Sequence, residues 1–222
     1  LSQLGPDDVA LIEGAAERVP LTYHYRMATA YFAATTARDN TTEGLGSTSS
    51  YLTSPGLQRE GSDFWRPTVA WTHVVTQGDA SLIVGRNRLW TNDAYTLWRA
   101  PIVDVTTYGL AWQPPVRRGD AWFQRALGPA EILVSNRSQR ARGIDVSVAL
   151  RSVAVPRRVA LLGGSRPVSA NVPAGVTTVL QTRLVVPAGR GGVLQISPQA
   201  IGQELVPTRR IAVERVRADA SS

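Results

Sequence analysis

From Thr68 onward the chain reads as short apolar runs rich in Val, Ile and Trp, broken by Gly, Asn, Asp or Pro about every ten residues. Runs of that length and spacing predict an all-β region. The pattern places strands at 69–76, 81–84, 95–100, 103–108, 122–127, 131–135, 144–153, 158–162, 168–172, 177–186 and 192–198. Alternation is clearest where Ile144, Val146, Val148 and Leu150 are set against Asp145, Ser147 and Arg151. A period of two with one apolar face implies an antiparallel sheet packed on one side and wet on the other. A last segment, Ile211 to Val216, alternates apolar and charged residues and is expected to add an edge strand. Val155-Pro156, Val172-Pro173 and Val186-Pro187 punctuate the second half as turns, at intervals too irregular for a repeat.

Upstream the texture differs. Gly5 to Val19 opens on Pro6-Asp7-Asp8 and continues through good helix formers, which predicts a short helix with its carboxylates at the favoured end. Tyr23, Met27, Tyr31 and Ala34 recur at helical spacing and predict a second helix to Arg38. Residues 39–61 are rich in Thr, Ser and Gly without a period, a loop with at most one short strand near 50–53. The expected fold class is therefore mainly β with a smaller α-helical N-terminal part, the strands forming an antiparallel, jelly-roll-like β-sandwich.

Charge divides the chain. Residues 1–113 carry 8 Arg against 11 carboxylates, and residues 114–222 carry 16 Arg against 6, so the net charge of +7 belongs to the second half. We place the domain boundary at the switch, near Pro114-Pro115: a mixed α/β, aromatic-rich segment over 1–113 and a basic antiparallel β-sandwich over 114–222. A basic half points to an anionic partner. It is poor in aromatics after Phe123, which argues against nucleic acid because single-strand binders need stacking platforms. Arg137, Arg140, Arg142, Arg157 and Arg158 are the candidates for facing an anionic surface.

The chain contains no cysteine, which excludes disulfides and thiolate chemistry and suits an oxidising exterior. No apolar run approaches the roughly 18 residues of a membrane-spanning helix. The first residue, Leu1, suggests a segment of a longer protein.

Motifs for enzymatic chemistry are sparse. His24 and His73 lie far apart and read as structural residues, and no nucleophile elbow, zinc-protease motif, P-loop or dinucleotide turn is present. No cofactor and no metal site is expected. Asp39 to Glu43 reads as a solvated turn lacking the EF-hand spacing. Asp63, Asp79, Asp93 and Asp104 lie near the aromatic region, and a pair of them would suffice for glycoside hydrolysis. The strongest anomaly is the clustering of all six tryptophans between Trp65 and Trp122. Indole faces stack on sugar C–H faces while amides and carboxylates pair with hydroxyls. Trp65, Trp90, Asn92, Asp93, Trp98, Trp112 and Trp122 are thus glycan-binding candidates, with ordinary core packing as the competing reading.

The runs THVVTQGDASLIVGRNRLWTNDAYTLWRAPIVDVTTYG at 72–109 and AWFQRALGPAEILVSNRSQRARGIDVSVALRSVAVPRRVAL at 121–161 carry a resemblance. With Tyr95-Thr96-Leu97-Trp98-Arg99-Ala100, Trp122 and Val134-Ser135-Asn136, the order of segments resembles the extracytoplasmic C-terminal region of actinobacterial polytopic membrane glycosyltransferases of the GT-C type. The exclusive use of Arg as basic residue suits such a GC-rich source. The resemblance implies a parent enzyme using polyprenyl-phosphate sugars in cell-wall biogenesis, with its catalytic Asp outside this segment. The segment itself would be a non-catalytic accessory or carbohydrate-binding domain that positions the acceptor glycan. Its partners would be a cell-envelope polysaccharide or lipid-linked sugar and, through the parent chain, the membrane surface. Its place would be periplasmic or on the cell surface, tethered by segments outside this sequence. The alternatives are a structural or interaction module of another exported envelope protein, and a glycoside hydrolase.

Overall fold

A computed structural model of the chain describes residues 10–12, 70–77, 82–92, 95–108, 111–113, 115–119, 121–200 and 211–221. Among them the only regular elements are fourteen strands, and no helix occurs. They are β1 (Ala10–Ile12), β2 (His73–Gln77), β3 (Asn87–Thr91), β4 (Tyr95–Arg99), β5 (Val103–Tyr108), β6 (Val116–Arg118) and β7 (Ala121–Ala126). The second half continues with β8 (Ala130–Asn136), β9 (Arg142–Ser152), β10 (Arg157–Leu162), β11 (Val168–Val172), β12 (Thr178–Val186), β13 (Arg190–Ala200) and β14 (Ile211–Ala220).

Ten strands make two antiparallel five-stranded sheets, in the orders β11-β10-β13-β8-β5 and β12-β9-β14-β7-β6. Because side chains alternate along a strand, each strand sends one set inward. Ile132 and Val134 of β8, Val159 and Leu161 of β10, and Leu194 and Ile196 of β13 meet Ile144, Val146, Val148 and Leu150 of β9 and Val213 and Val216 of β14 in one sealed core. Each such side chain contributes about 1.5–3 kcal/mol when fully buried. The result is a β-sandwich.

The remaining strands form a third sheet, β1-β2-β4-β3, with β1 parallel to β2 and the other pairs antiparallel. It lies against the outer face of the first five-stranded sheet. Trp71, Val74 and Ala100 pack there on Leu133 of β8, with Val193 of β13 at the margin. Leu133 sits between Ile132 and Val134 and points the opposite way, so β8 is apolar on both faces. A backbone bond ties the layers together, Ala70 N–H donating to Gly189 O (3.0 Å), while Ala100 N–H donates to Thr72 O (2.8 Å) and extends the β2–β4 pairing within the third sheet.

A buried polar node locks the junction. Asp104, on the outer side of β5 and fully buried, accepts a hydrogen bond from the Trp71 indole N–H (2.7 Å) and from Arg86 Nε–H (3.2 Å to each oxygen). Arg86 Nη2 also lies 3.1 Å from Asp104 Oδ2 and donates to Val105 O (2.7 Å). A second clamp comes from Arg137, which donates to Ala100 O (2.7 Å) and Pro101 O (3.4 Å).

The β10–β11 turn depends on two glycines. Gly163 has a φ of +92°, and a Cβ there would lie 2.5 Å from the Val193 carbonyl oxygen. A Cβ on Gly164 would lie 2.1 Å from Thr182 Oγ1. The β10–β11 turn can therefore close over β12 and β13, where Ser165 N–H donates to Arg183 O (2.6 Å).

The strand pattern read from the sequence matches β4, β5 and β7 to β13 to within a few residues at each end. Four expectations change. Within the helix expected over 5–19, Ala10–Ile12 are a strand, because they find a partner in β2 that local propensity does not register. The rest of that stretch, the helix expected over 23–38 and the loop over 39–61 lie outside the described residues. The segment 211–216 is no edge: β14 runs to Ala220 between β9 and β7 at the centre of its sheet. Of the strand expected over 81–84, the described residues 82–84 hold a single bridge, Ile83 to Val216. Finally, Pro114-Pro115 does not separate the sheets, because β5, before it, pairs along its length with β8, after it. Strands β3 and β6 were not expected, since Asn87–Thr91 and Val116–Arg118 are largely polar and lie at sheet edges.

Removing Arg86 leaves the buried Asp104 charge without its cation. Arg86→Met is expected to cost about 3–5 kcal/mol of unfolding free energy in urea titrations at pH 7. Gly163→Ala is expected to be destabilising in the same assay, and more so than Gly175→Ala. Both replace a residue of positive φ, but nothing lies within 4 Å of the added carbon at Gly175.

Candidate functional site

The structure scatters the tryptophans that the sequence brings together. Trp71 is fully buried, with its N–H on Asp104. Trp112 is also fully buried, and its N–H donates to Glu131 O (2.7 Å). Trp98 is 8% exposed and donates to Thr76 Oγ1 (2.8 Å). Trp98 and Trp112 are therefore corrected from glycan candidates to core residues: each indole has its faces covered and its N–H satisfied by the protein. Trp122 is half-buried, packed on the sandwich core. Trp65 and Asp93 lie outside the described residues.

Trp90 is different. It stands on β3, at the edge of the third sheet, and remains 43% exposed. A β-bulge between Arg88 and Trp90 shifts the register at this point, a device that re-aims side chains at sheet edges. The turn beyond is fixed by Asn92, whose Oδ1 accepts from Tyr95 N–H (2.7 Å) and whose N–H donates to Tyr95 O (2.9 Å). The hydroxyls of Thr91 and Thr96 lie 2.7 Å apart across the hairpin. Asn92 thus positions the hairpin, and Trp90 is an indole held open on a rigid strand.

The arginines sort in the same way. Arg157 is only 1% exposed and is corrected from a surface candidate to a buried one. Arg157 and Arg158 are neighbours on β10 and so point to opposite sides; Arg157 shares the inward parity of Val159 and Leu161. Arg137 is a backbone clamp, as described. Arg140, Arg142 and Arg158 face solvent, with Arg142 donating to Ser138 Oγ (3.1 Å) and Arg158 to Ser169 Oγ (3.3 Å). The first two flank a corner held by Asn136, whose Nδ2 donates to Arg140 O (2.8 Å), Val186 O (3.0 Å) and Pro187 O (3.1 Å).

Of the carboxylates considered for hydrolysis, Asp104 is sealed with Arg86 and unavailable to solvent. Asp63, Asp79 and Asp93, along with His24 and the Asp39–Glu43 turn, lie outside the described residues. His73 is buried. Among the described residues no group of three or more His, Cys, Asp or Glu is placed to hold a metal.

A second surface was not anticipated. The outer face of β12-β9-β14 carries an open groove of about 450 Å³ lined by Asp145, Ser147, Gln181, Thr182, Arg183 and Asp219. Register explains it: Gln181 pairs with Ser147 and Ser147 with Arg217, while Arg183 pairs with Asp145 and Asp145 with Asp219. Polar side chains therefore stand in two rows across three strands. Arg183 leans over Gly143, where a Cβ would lie 2.9 Å from its Nε, so glycine gives the guanidinium room. Elsewhere on this face, the Phe123 ring carries the guanidinium carbons of Arg125 at 5.5 Å and Arg151 at 5.8 Å from its centre. Alternation in β9 and β12 shows which residues face outward, but not which of them meet across strands.

No protein-family model and no curated protein matches the chain. Among solved structures, it is similar to a Podospora anserina β-(1,4)-mannanase at 13% identity, covering 68% of this chain and 28% of that one, with a TM-score of 0.33. It is similar to a family 29 carbohydrate-binding module from Piromyces equi at 8% identity, covering 66% and 89%, with a TM-score of 0.28. It is also similar to a carbohydrate-binding module of Cellvibrio mixtus lichenase 5A, in complex with cellotriose, at 15% identity, covering 70% and 99%, with a TM-score of 0.26.

The different burial of the indoles predicts different quenching. Trp90→Phe is expected to lower the acrylamide Stern–Volmer slope of the intrinsic fluorescence. Trp112→Phe is expected to raise the average slope, because it removes an emitter that the quencher does not reach.

Proposed function

We propose that this chain is a non-catalytic, carbohydrate-binding β-sandwich module, and that it serves as the extracytoplasmic accessory domain of a membrane glycosyltransferase of envelope polysaccharide synthesis, where it holds the acceptor glycan. The observation that carries the binding reading is Trp90, an indole left open on a strand whose turn is locked by hydrogen bonds. A planar apolar face on a rigid scaffold suits the C–H face of a pyranose or furanose ring and loses little entropy on binding. The sealing of Asp104 with Arg86 removes one of the carboxylates that a hydrolase reading needs and favours binding over turnover. The glycosyltransferase setting, the envelope location and the tether to the membrane rest on the resemblance in the order of segments. A lipid-linked sugar is a further partner in that setting.

Titration with arabinan and mannan oligosaccharides, followed by tryptophan fluorescence and calorimetry, tests the proposal. The expected result is saturable binding in the micromolar to millimolar range, about tenfold weaker in Trp90→Ala, with no release of reducing sugar. A tenfold change corresponds to about 1.4 kcal/mol, within the range of an aromatic anchor. No response to any sugar, or binding unchanged in Trp90→Ala, would refute the reading.

A further inference from the structure

The two outer faces of the sandwich are unlike. One is covered by the third sheet, through Trp71, Val74 and Ala100 on Leu133. The other, the outer face of β12-β9-β14-β7-β6, carries six arginines and three carboxylates spread over its five strands, as well as the groove.

Each carboxylate on this face already has a cation. Arg183 Nε lies 3.7 Å from Asp145 Oδ1, Arg151 Nε 3.1 Å from Glu214 Oε1, and Arg217 Nε 2.7 Å from Asp219 Oδ2. Arg118, Arg125 and Arg215 are left over, with no ion pair among the described residues. Arg118 and Arg215 are exposed, and Arg125 has its guanidinium carbon over the Phe123 ring, 5.5 Å from the centre, with its Nε buried and without a hydrogen-bond partner. Stacking on a ring holds a guanidinium in place while leaving its outer N–H groups free for a planar anion.

We propose that this face is a second binding surface, separate from Trp90, for an anionic polysaccharide: a chain whose carboxylate or phosphate groups are spaced by neutral, hydroxylated sugar units. The unpaired arginines take the anionic groups. The groove on the same face offers the mixture that neutral sugar units require, with Gln181 and Ser147 as both donors and acceptors and Asp145 and Asp219 as acceptors. Val179 and Val185, 55% and 68% exposed on β12, flank Gln181 and Arg183 and give sugar C–H faces an apolar contact. Nucleic acid is a poorer fit, because the one ring on this face is already covered by two guanidinium groups and offers bases nothing to stack on. A uniformly anionic membrane is poorer too, since a flat surface does not follow the groove between Gln181 and Asp219.

The test uses the 222-residue chain and affinity electrophoresis in 0.1 M salt, with polygalacturonate as the anionic glycan and dextran as the neutral one. Single-stranded oligo-dT and phosphatidylglycerol vesicles are compared in parallel binding assays. Polygalacturonate is expected to bind at least tenfold more tightly than dextran, oligo-dT or vesicles, and to weaken steeply by 1 M salt, where screening shortens to about 3 Å. Arg118→Gln/Arg215→Gln, which removes two exposed charges without touching the core, is expected to lose about tenfold of this binding at unchanged Tm, and Arg125→Lys part of it. Trp90→Ala is expected to leave it intact. Equal retention by dextran, equal or tighter binding of oligo-dT or vesicles, or indifference to the arginine substitutions would overturn the inference. Loss of binding in Trp90→Ala would overturn the separateness of the two surfaces. Neutral-sugar binding that depends on Trp90, without a preference for polygalacturonate, would overturn this inference alone and leave the proposed function standing.

Discussion

The arrangement turns on one buried carboxylate. Asp104 sits on an edge strand of the sandwich, fully out of water, where an unpaired charge would cost several kcal/mol. Its two hydrogen-bond donors come from two segments outside the sandwich sheets, the Trp71 indole ahead of β2 and Arg86 Nε ahead of β3. The pairing cannot be satisfied unless both segments are seated. Asp104 therefore makes docking of the third sheet a condition of folding β5 correctly. Arg86 adds a bond to Val105 O, which keeps its planar head oriented along the strand edge.

That docking has a consequence for function. A sandwich has two outer faces, and here one of them is spent on internal packing. Among the described residues, the second sheet's outer face and the far edge of the third sheet remain open. The two surfaces have different chemistry: a single indole on a pinned hairpin at one, and a field of guanidinium groups bordering a polar groove at the other. Both stand on strands, whose register fixes side chains more rigidly than loops do. The paired charges on the sheet face add little stability, since exposed ion pairs contribute about 0–1 kcal/mol each. Their effect is on the local field, because they cancel the carboxylates and leave the unpaired arginines to set its sign.

Periodicity recovered most of the strand pattern, because burial on one side leaves a period of two in the residues, as in β9, β10 and β12. It failed where pairing was non-local or the strand was polar. Ala10–Ile12 look helical in isolation and become a strand only against β2. Asn87–Thr91 carry too few apolar residues to announce β3. The charge switch near Pro114-Pro115 marks no structural border, since composition has no bearing on which strands hydrogen-bond, and β5 finds β8 across it. Of the candidate site, Trp90 was legible as an aromatic beside polar neighbours. Trp98 and Trp112 carry the same local signature, and burial alone separates them.

By itself, then, the sequence determined the β texture, the absence of thiol chemistry and the excess of arginine, because these are properties of composition and of neighbours along one strand. The tertiary structure decided which tryptophan stays open, that Arg157 turns inward while Arg158 turns outward, and that β14 lies at the centre of its sheet. It also brought Arg118, Arg125 and Arg215 from separate strands onto one face. The physical reason is that exposure and charge balance depend on cross-strand register and on what covers each face, and both are relations between residues far apart in the chain.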